Sequence, residues 1–201
     1  MKTKIPIVLI FCRLIIGFII IFLSLIKIDN YKIFTIILLS IGLLTDIFDG
    51  IIARYLNIST PVLRRLDSTV DQIFFISVIA ATYIQCPDFF KTNIYKLIIL
   101  FGFEILTYLM SFVKFKKEIA THSIGAKIWT LVLFATLIQV ILECQSIILF
   151  NFCFWIGLLT RIEIIAIVLI LKKWTNDVPT FYHALKLRQG KTIKRNKIFN
   201  G

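Results

Sequence analysis

The sequence predicts an all-α integral membrane protein, a bundle of six transmembrane helices with both termini on the cytoplasmic side. Three observations lead there. The 201-residue chain is 59% hydrophobic, and its apolar residues gather in runs of about 20, the length an α-helix needs to cross a bilayer. The basic residues segregate by loop, and four carboxylates fall within the 26 residues that join the second and third runs. A net charge of +12 would also suit a nucleic-acid partner, but charge sorted by loop argues for a membrane and against nucleic acid.

The first run, Ile5–Ile26, has no A-x-A-like cleavage site and reads as a span, not a signal peptide. The others are Lys32–Tyr55, Asp67–Gln85, Ile94–Val113, Lys127–Glu143 and Ile147–Leu171. With the N-terminus inside, the inner segments hold Lys2, Lys4, Arg54, Arg64, Arg65, Lys114, Lys116, Lys117, Lys127 and eight basic residues after Leu171. The outer loops hold only Lys27, Lys32, Lys91 and Lys96, so the positive-inside rule fixes the orientation. No internal repeat or linker interrupts the chain, so residues 1–201 read as a single membrane domain with a basic cytoplasmic tail from about 172. In that tail Asp177 is placed to cap a short helix starting near Pro179. Val178, Phe181, Tyr182 and Leu185 give this helix an apolar face among basic residues, as a helix lying on an anionic leaflet has. Cys12, Cys86, Cys144 and Cys153 show no CxxC spacing and read as reduced core residues. His122 and His183 are isolated, and neither is assigned as a metal ligand.

The stretch Asp46 to Asp71 organises the rest. It runs D-I-F-D-G-I-I-A-R, then eight residues, then L-R-R-L-D-S-T-V-D. Asp46, Asp49 and Ala53 share one helix face, and Asp67 and Asp71 share another. A carboxylate deep in a bilayer costs about 2.5–3.5 kcal/mol, and four held close together also repel one another, so they need a cationic partner. Bound divalent cations meet both needs, and an oxygen-only ligand set suits Mg²⁺, Mn²⁺ or Ca²⁺. Two ions bridged by shared carboxylates would neutralise a diphosphate leaving group. Gly50 and Ala53, on or near the acid-bearing face, leave room for a nucleotide to approach the backbone.

This pattern closely resembles the signature of the CDP-alcohol phosphatidyltransferases, D-x-x-D-G-x-x-A-R, about eight residues, then G-x-x-x-D-x-x-x-D. One fixed position departs from it: Leu63 stands where the family has its second glycine, which narrows the pocket or shifts the backbone there. The resemblance implies two divalent ions, Mg²⁺ or Mn²⁺, held by Asp46, Asp49, Asp67 and Asp71. It places Gly50, Ala53 and Arg54 against the CDP moiety, and it makes Asp71 the base that takes the acceptor hydroxyl's proton. The implied reaction moves a phosphatidyl group from CDP-diacylglycerol to a small alcohol and releases CMP, at the cytoplasmic face of the inner membrane and among its lipids. The family is often dimeric, which makes a homodimer compatible with the resemblance.

Further residues bear on the acceptor. Arg161 lies within the sixth span, where an arginine is directed at a cavity or a carboxylate. It is expected to bind the phosphate of a phosphorylated alcohol or to pair with an acid such as Glu104. Gly125-Ala126-Lys127-Ile128-Trp129-Thr130 looks like the G-K-x-x-T region of phosphatidylglycerophosphate synthase-like and cardiolipin synthase-like members. Lys127 there either contacts acceptor phosphate or snorkels, and Trp129 also suits an interfacial anchor. Arg13 matches a basic position near the family's N-terminus and is expected to steady the site through a carboxylate. With Arg64 and Arg65 added, these cations favour a phosphorylated polyol such as glycerol 3-phosphate, with inositol phosphate, serine and phosphatidylglycerol left open. An intramembrane prenyltransferase would want an acid where Ala53 stands, and a cation channel would spread its acids through the membrane depth. A pseudoenzyme, for which Leu63 argues, differs from an enzyme in lacking metal-dependent CMP release.

Overall fold

A computed structural model describes residues 5–26, 29–56, 58, 60–117, 121 and 123–193. These residues form eight helices: α1 (Ile5–Ile26), α2 (Tyr31–Tyr55), α3 (Pro61–Gln85), α4 (Pro87–Thr92), α5 (Ile94–Phe115), α6 (Ile124–Glu143), α7 (Ile148–Ile170) and α8 (Phe181–Arg188). No strand occurs among the described residues. Five of the helices, α1, α2, α5, α6 and α7, are long and apolar enough to cross a membrane. α3 matches them in length, but Arg64, Arg65, Asp67 and Asp71 make its first half polar. Along α1, Val8, Phe11, Ile15, Phe18 and Phe22 form a stripe between 48% and 60% exposed. Water does not tolerate so continuous an apolar surface, and lipid does. The protein is an integral membrane protein.

The chain divides into two compact units, Met1–Phe90 with Leu137–Gln145, and Lys91–Thr136 with Ser146–Gly201. In the first, α1 packs on α2 and α3 through stripes that alternate three- and four-residue steps. On α1 the buried stripe is Pro6, Ile10, Arg13, Gly17, Ile20 and Ser24. On α2, buried Thr35, Leu39, Gly42, Asp49 and Ala53 keep the same rhythm, with Asp46 in register at the partly exposed step. On α3 the stripe contains Val70, Phe74, Ser77, Val78 and Ala81. Phe74 keys the three helices together. A Cβ added at Gly42 would lie 2.2 Å from the Phe74 ring, and one at Gly17 would lie 3.3 Å from Ser77 Oγ. α1 and α3 run parallel, with Arg13 beside Asp67 at one end and Gln85 Nε2 donating to the Ser24 carbonyl (2.7 Å) at the other.

α3 starts six residues before the expected Asp67. Thr60 is its N-cap, accepting from Leu63 N at 3.2 Å, and Pro61 opens the first turn. A cap sets where a helix begins, whereas the sequence boundary followed where polar residues give way to apolar ones. The reduced state expected for Cys86 and Cys144 is corrected: the two form a disulfide, with Cα atoms 5.1 Å apart. They follow directly on the ends of α3 and α6, and no spacing between residues 58 apart foretells that the two ends meet. Cys12 and Cys153 are free.

In the second unit α7 buries a continuous face from Phe150 to Val168, and α5 runs parallel to it. Lys96 bonds Asn151 at one end, and at the other Lys114 Nζ donates to the Val168 carbonyl (3.0 Å), a cation on a helix C-terminus. The expected cap of α8 is also corrected. Asp177 has φ 54°, accepts from Asn176 Nδ2 (2.9 Å) and lies before the helix. Thr180 occupies the N-cap position, and Glu163 Oε1 on α7 accepts from Phe181 N at 3.3 Å. Of the expected apolar face, Val178 is fully buried with Ile167, Leu171 and Ala184, whereas Phe181 and Tyr182 are exposed.

The pairing predicts a labelling result. Unfolded without reductant, the protein should take up a maleimide at two cysteines, and after reduction at four. The Cys86→Ser variant should unfold at lower temperature in detergent, by at most about 4 kcal/mol for a closed loop of this length.

Candidate functional site

The site is built at the ends of the buried stripes of α1, α2 and α3. Arg13 and the four aspartates each stand in register with the stripe that their helix buries, so the apolar packing below brings them together. α2 presents Asp46 and Asp49 one turn apart, and α3 presents Asp71 one turn and Asp67 two turns before Phe74. α1 has no acid, and in the same layer it carries Arg13, 1% exposed.

Arg13 touches all four aspartates. Its Nη1 lies 3.3 Å from Asp46 Oδ1 and 3.1 Å from Asp67 Oδ1, and also meets Asp71 Oδ1; its Nη2 meets Asp49 Oδ2. Nε, on the helix side of the guanidinium, is buried without a hydrogen bond. The cluster has a floor and a rim. Asp49 is 2% exposed, whereas the side chains of Asp46, Asp67 and Asp71 are 34%, 22% and 30% exposed. Arg13 and Asp49 hold the base, and the other three carboxylates open to an approaching molecule.

Ligand oxygens of Asp46, Asp49 and Asp67 lie within 4.8 Å of one another, close enough to share a cation. Four carboxylates gathered at one guanidinium in a partly buried place favour the binding of further positive charge. The donors are all carboxylate oxygens, with no sulfur or imidazole among the three. Such a set fits a hard divalent cation.

Ala53, 6% exposed, follows Asp49 by one turn, and Gly50 is half-buried beside it. Arg54 lies on α2, but its side chain falls outside the described residues. Leu63, at the position of the family's glycine, sits in the first turn of α3 with its backbone N–H bonded to the Thr60 cap. The helix is regular through it.

Arg161 and Lys127 belong to the second unit. Arg161 is 7% exposed, and its Nε bonds Glu104 Oε2, so the carboxylate partner anticipated for it is the one found. Its guanidinium also lies over the Trp129 ring, 4.3 Å from the centroid, a contact the sequence did not suggest. Lys127 stands in the first turn of α6, where Ser123 Oγ accepts from Ala126 N at 3.2 Å. A Cβ on Gly125 there would lie 2.9 Å from Glu163 Oε2 and 3.3 Å from Thr160 Oγ1. The reach of Arg13 to all four acids is the feature the residue pattern did not announce. The signal was present in the three- and four-residue steps from Pro6 to Ser24, which put Arg13 on the buried stripe.

Among known protein families, the sequence model of the CDP-alcohol phosphatidyltransferases matches residues 3–177. No characterised protein and no solved structure gives a match.

Removing Arg13 tests the cluster's charge balance. Arg13→Gln in EDTA should lose about 3 kcal/mol of stability, since it leaves neighbouring buried charge uncompensated. Millimolar Mn²⁺ should restore much of the loss, read as the thermal unfolding midpoint in detergent. A variant as stable as the parent in EDTA would show that the acids do not depend on the guanidinium.

Proposed function

The chain belongs to the CDP-alcohol phosphatidyltransferase family, a family of phosphotransferases of phospholipid synthesis, and on that premise we propose its donor, acceptor and residue roles. The donor is CDP-diacylglycerol, and the acceptor is a phosphorylated polyol, with glycerol 3-phosphate favoured. The single observation that carries the reading is the convergence of four carboxylates from two helices on one guanidinium. Carboxylates splayed apart could not have shared cations, and these share one already.

Asp46, Asp49, Asp67 and Asp71 would hold two Mg²⁺ or Mn²⁺ ions, which when bound neutralise the diphosphate of the donor. Arg13 keeps the acids converged from below. Asp71, on the open rim, takes the proton of the acceptor hydroxyl, and a base in that role needs to come within hydrogen-bond reach of it. The freed oxygen forms a bond to the phosphorus that carries diacylglycerol, the bond from that phosphorus to CMP breaks, and CMP leaves. Gly50, Ala53 and Arg54 receive the nucleotide, the first two because small side chains let it approach α2. Arg161 and Lys127 bind the acceptor's phosphate.

The same reading places six helices across the membrane, with the acids at the cytoplasmic face. Two observations favour it. α3 runs parallel to α1 from Asp67 to Gln85 and so spans what α1 spans. The disulfide at Cys86 lies 19 residues from Asp67, about 28 Å along a helix and close to the bilayer's ~30 Å core. Disulfides persist on the oxidising side of a membrane, which leaves the acids on the other side.

Incubating the purified protein in nanodiscs with CDP-diacylglycerol, Mn²⁺ and single alcohols tests the reading. Release of CMP should require the metal and be fastest with glycerol 3-phosphate. Asp71→Asn should lower turnover by at least about a hundredfold. Faster turnover with serine or unphosphorylated inositol would remove the acceptor assignment, and metal-independent release would remove the whole scheme.

A further inference from the structure

Arg161 is held on two sides. Its Nε bonds the Glu104 carboxylate, and its face lies on Trp129. Among the described residues its two terminal amino groups make no hydrogen bond. Those parallel N–H groups are the part of an arginine that matches two oxygens of one phosphate. A flexible arginine would have to be ordered when the anion arrives, whereas a clamped one is ordered beforehand.

Trp129 is itself fixed by α7. Its Nε1 donates to the Cys153 carbonyl at 3.2 Å, so its polar edge turns inward and not toward a membrane surface, where an anchoring tryptophan would point it. The indole fills a notch at Gly157, one turn before Arg161. A Cβ there would lie 2.5 Å from Trp129 Nε1, 3.1 Å from its Cδ1 and 3.0 Å from Leu100 Cδ2. The notch admits the ring, the Cys153 carbonyl sets its rotation, and the guanidinium rests on its face. Glu104, Trp129, Cys153, Gly157 and Arg161 all belong to the second unit.

The geometry points to Trp129 as a positioning residue, seated in the notch at Gly157, that holds the Arg161 fork in place for the phosphate of the acceptor. This rests on the reading of Arg161 as an acceptor-phosphate contact and adds to it the residue that sets the arginine's orientation. It makes discrimination between phosphorylated and unphosphorylated acceptors depend on a tryptophan that need not touch either one.

The full-length protein in nanodiscs provides the test, with initial rates measured against glycerol 3-phosphate and, separately, against CDP-diacylglycerol. Trp129→Ala and Gly157→Ala should each raise the KM for glycerol 3-phosphate about tenfold, the size of one partly desolvated cation–π contact. The KM for CDP-diacylglycerol and kcat should stay within about twofold. Trp129→Phe keeps a ring face but loses the Nε1 donor, and should fall between; it serves as the deciding variant if the Gly157 substitution prevents folding. In a second arm, tryptophan fluorescence of a protein whose Trp155 and Trp174 are phenylalanine is followed while inorganic phosphate is added without donor. A saturable change that Arg161→Ala abolishes supports the inference even where turnover is slow. An unchanged acceptor KM in both Trp129 variants, with a raised KM in Arg161→Ala, overturns the role of Trp129 and leaves Arg161 standing. An unchanged KM in Arg161→Ala overturns both. A uniform loss of kcat, whichever substrate is varied, makes Trp129 merely structural and also overturns the inference.

Discussion

The rest of this structure depends on one buried guanidinium meeting four carboxylates. Arg13 is 1% exposed in the middle of an otherwise apolar helix. A lone charge there would be among the most costly groups a protein can hold, and four acids without a cation would drive their helices apart. Each side of the contact makes the other tolerable. α1 supplies the arginine and no acid, and α2 and α3 supply two acids each, so all three helices are needed to make the contact. Four carboxylates converge where one buried guanidinium meets them, and three of them could also hold a metal ion.

Apolar packing does the positioning. The stripes of α1, α2 and α3 bring Arg13, Asp49 and Asp71 to one level in the way they bring Gly42 under Phe74. The charged layer is thus held by contacts one or two turns away that carry no charge themselves. Thr60 and Pro61 begin α3 just before its acids, which keeps Asp67 and Asp71 within regular helix and not in the connector. Arg161 in the second unit follows the same logic, with Glu104 beside it and an aromatic face beneath it.

Much of this was legible in the residues. Five of the six apolar runs appear as helices suited to crossing a membrane, and the spacing of the aspartates anticipated two shared faces. Local periodicity suffices for such features, because it decides which residues one helix buries. What escaped was set by contacts between helices. Arg13 was expected to reach a carboxylate but not four, since its partners lie 33 to 58 positions away and only packing brings them together. The disulfide was missed for the same reason: Cys86 and Cys144 occupy two helix ends that become neighbours in the fold. Asp177 was misread as a cap because its type and place fit the rule, whereas the helix begins four residues later, with Thr180 at the N-cap position and Glu163 from another helix accepting from Phe181 N.

The place of Arg13 on the first helix also bears on biogenesis. During synthesis α1 leaves the ribosome before any of its acidic partners exists, and Asp46 follows only 33 residues later. At the translocon it must therefore partition into lipid with an unpaired arginine at its centre, a penalty of about 2.5–3.5 kcal/mol. Its mean hydropathy of 2.9, the highest of the five, is what makes this step feasible. The extreme greasiness of the first helix is thereby tied to the charge it carries: polar replacements on its lipid-facing side, remote from every aspartate, would act first on whether the chain enters the bilayer at all.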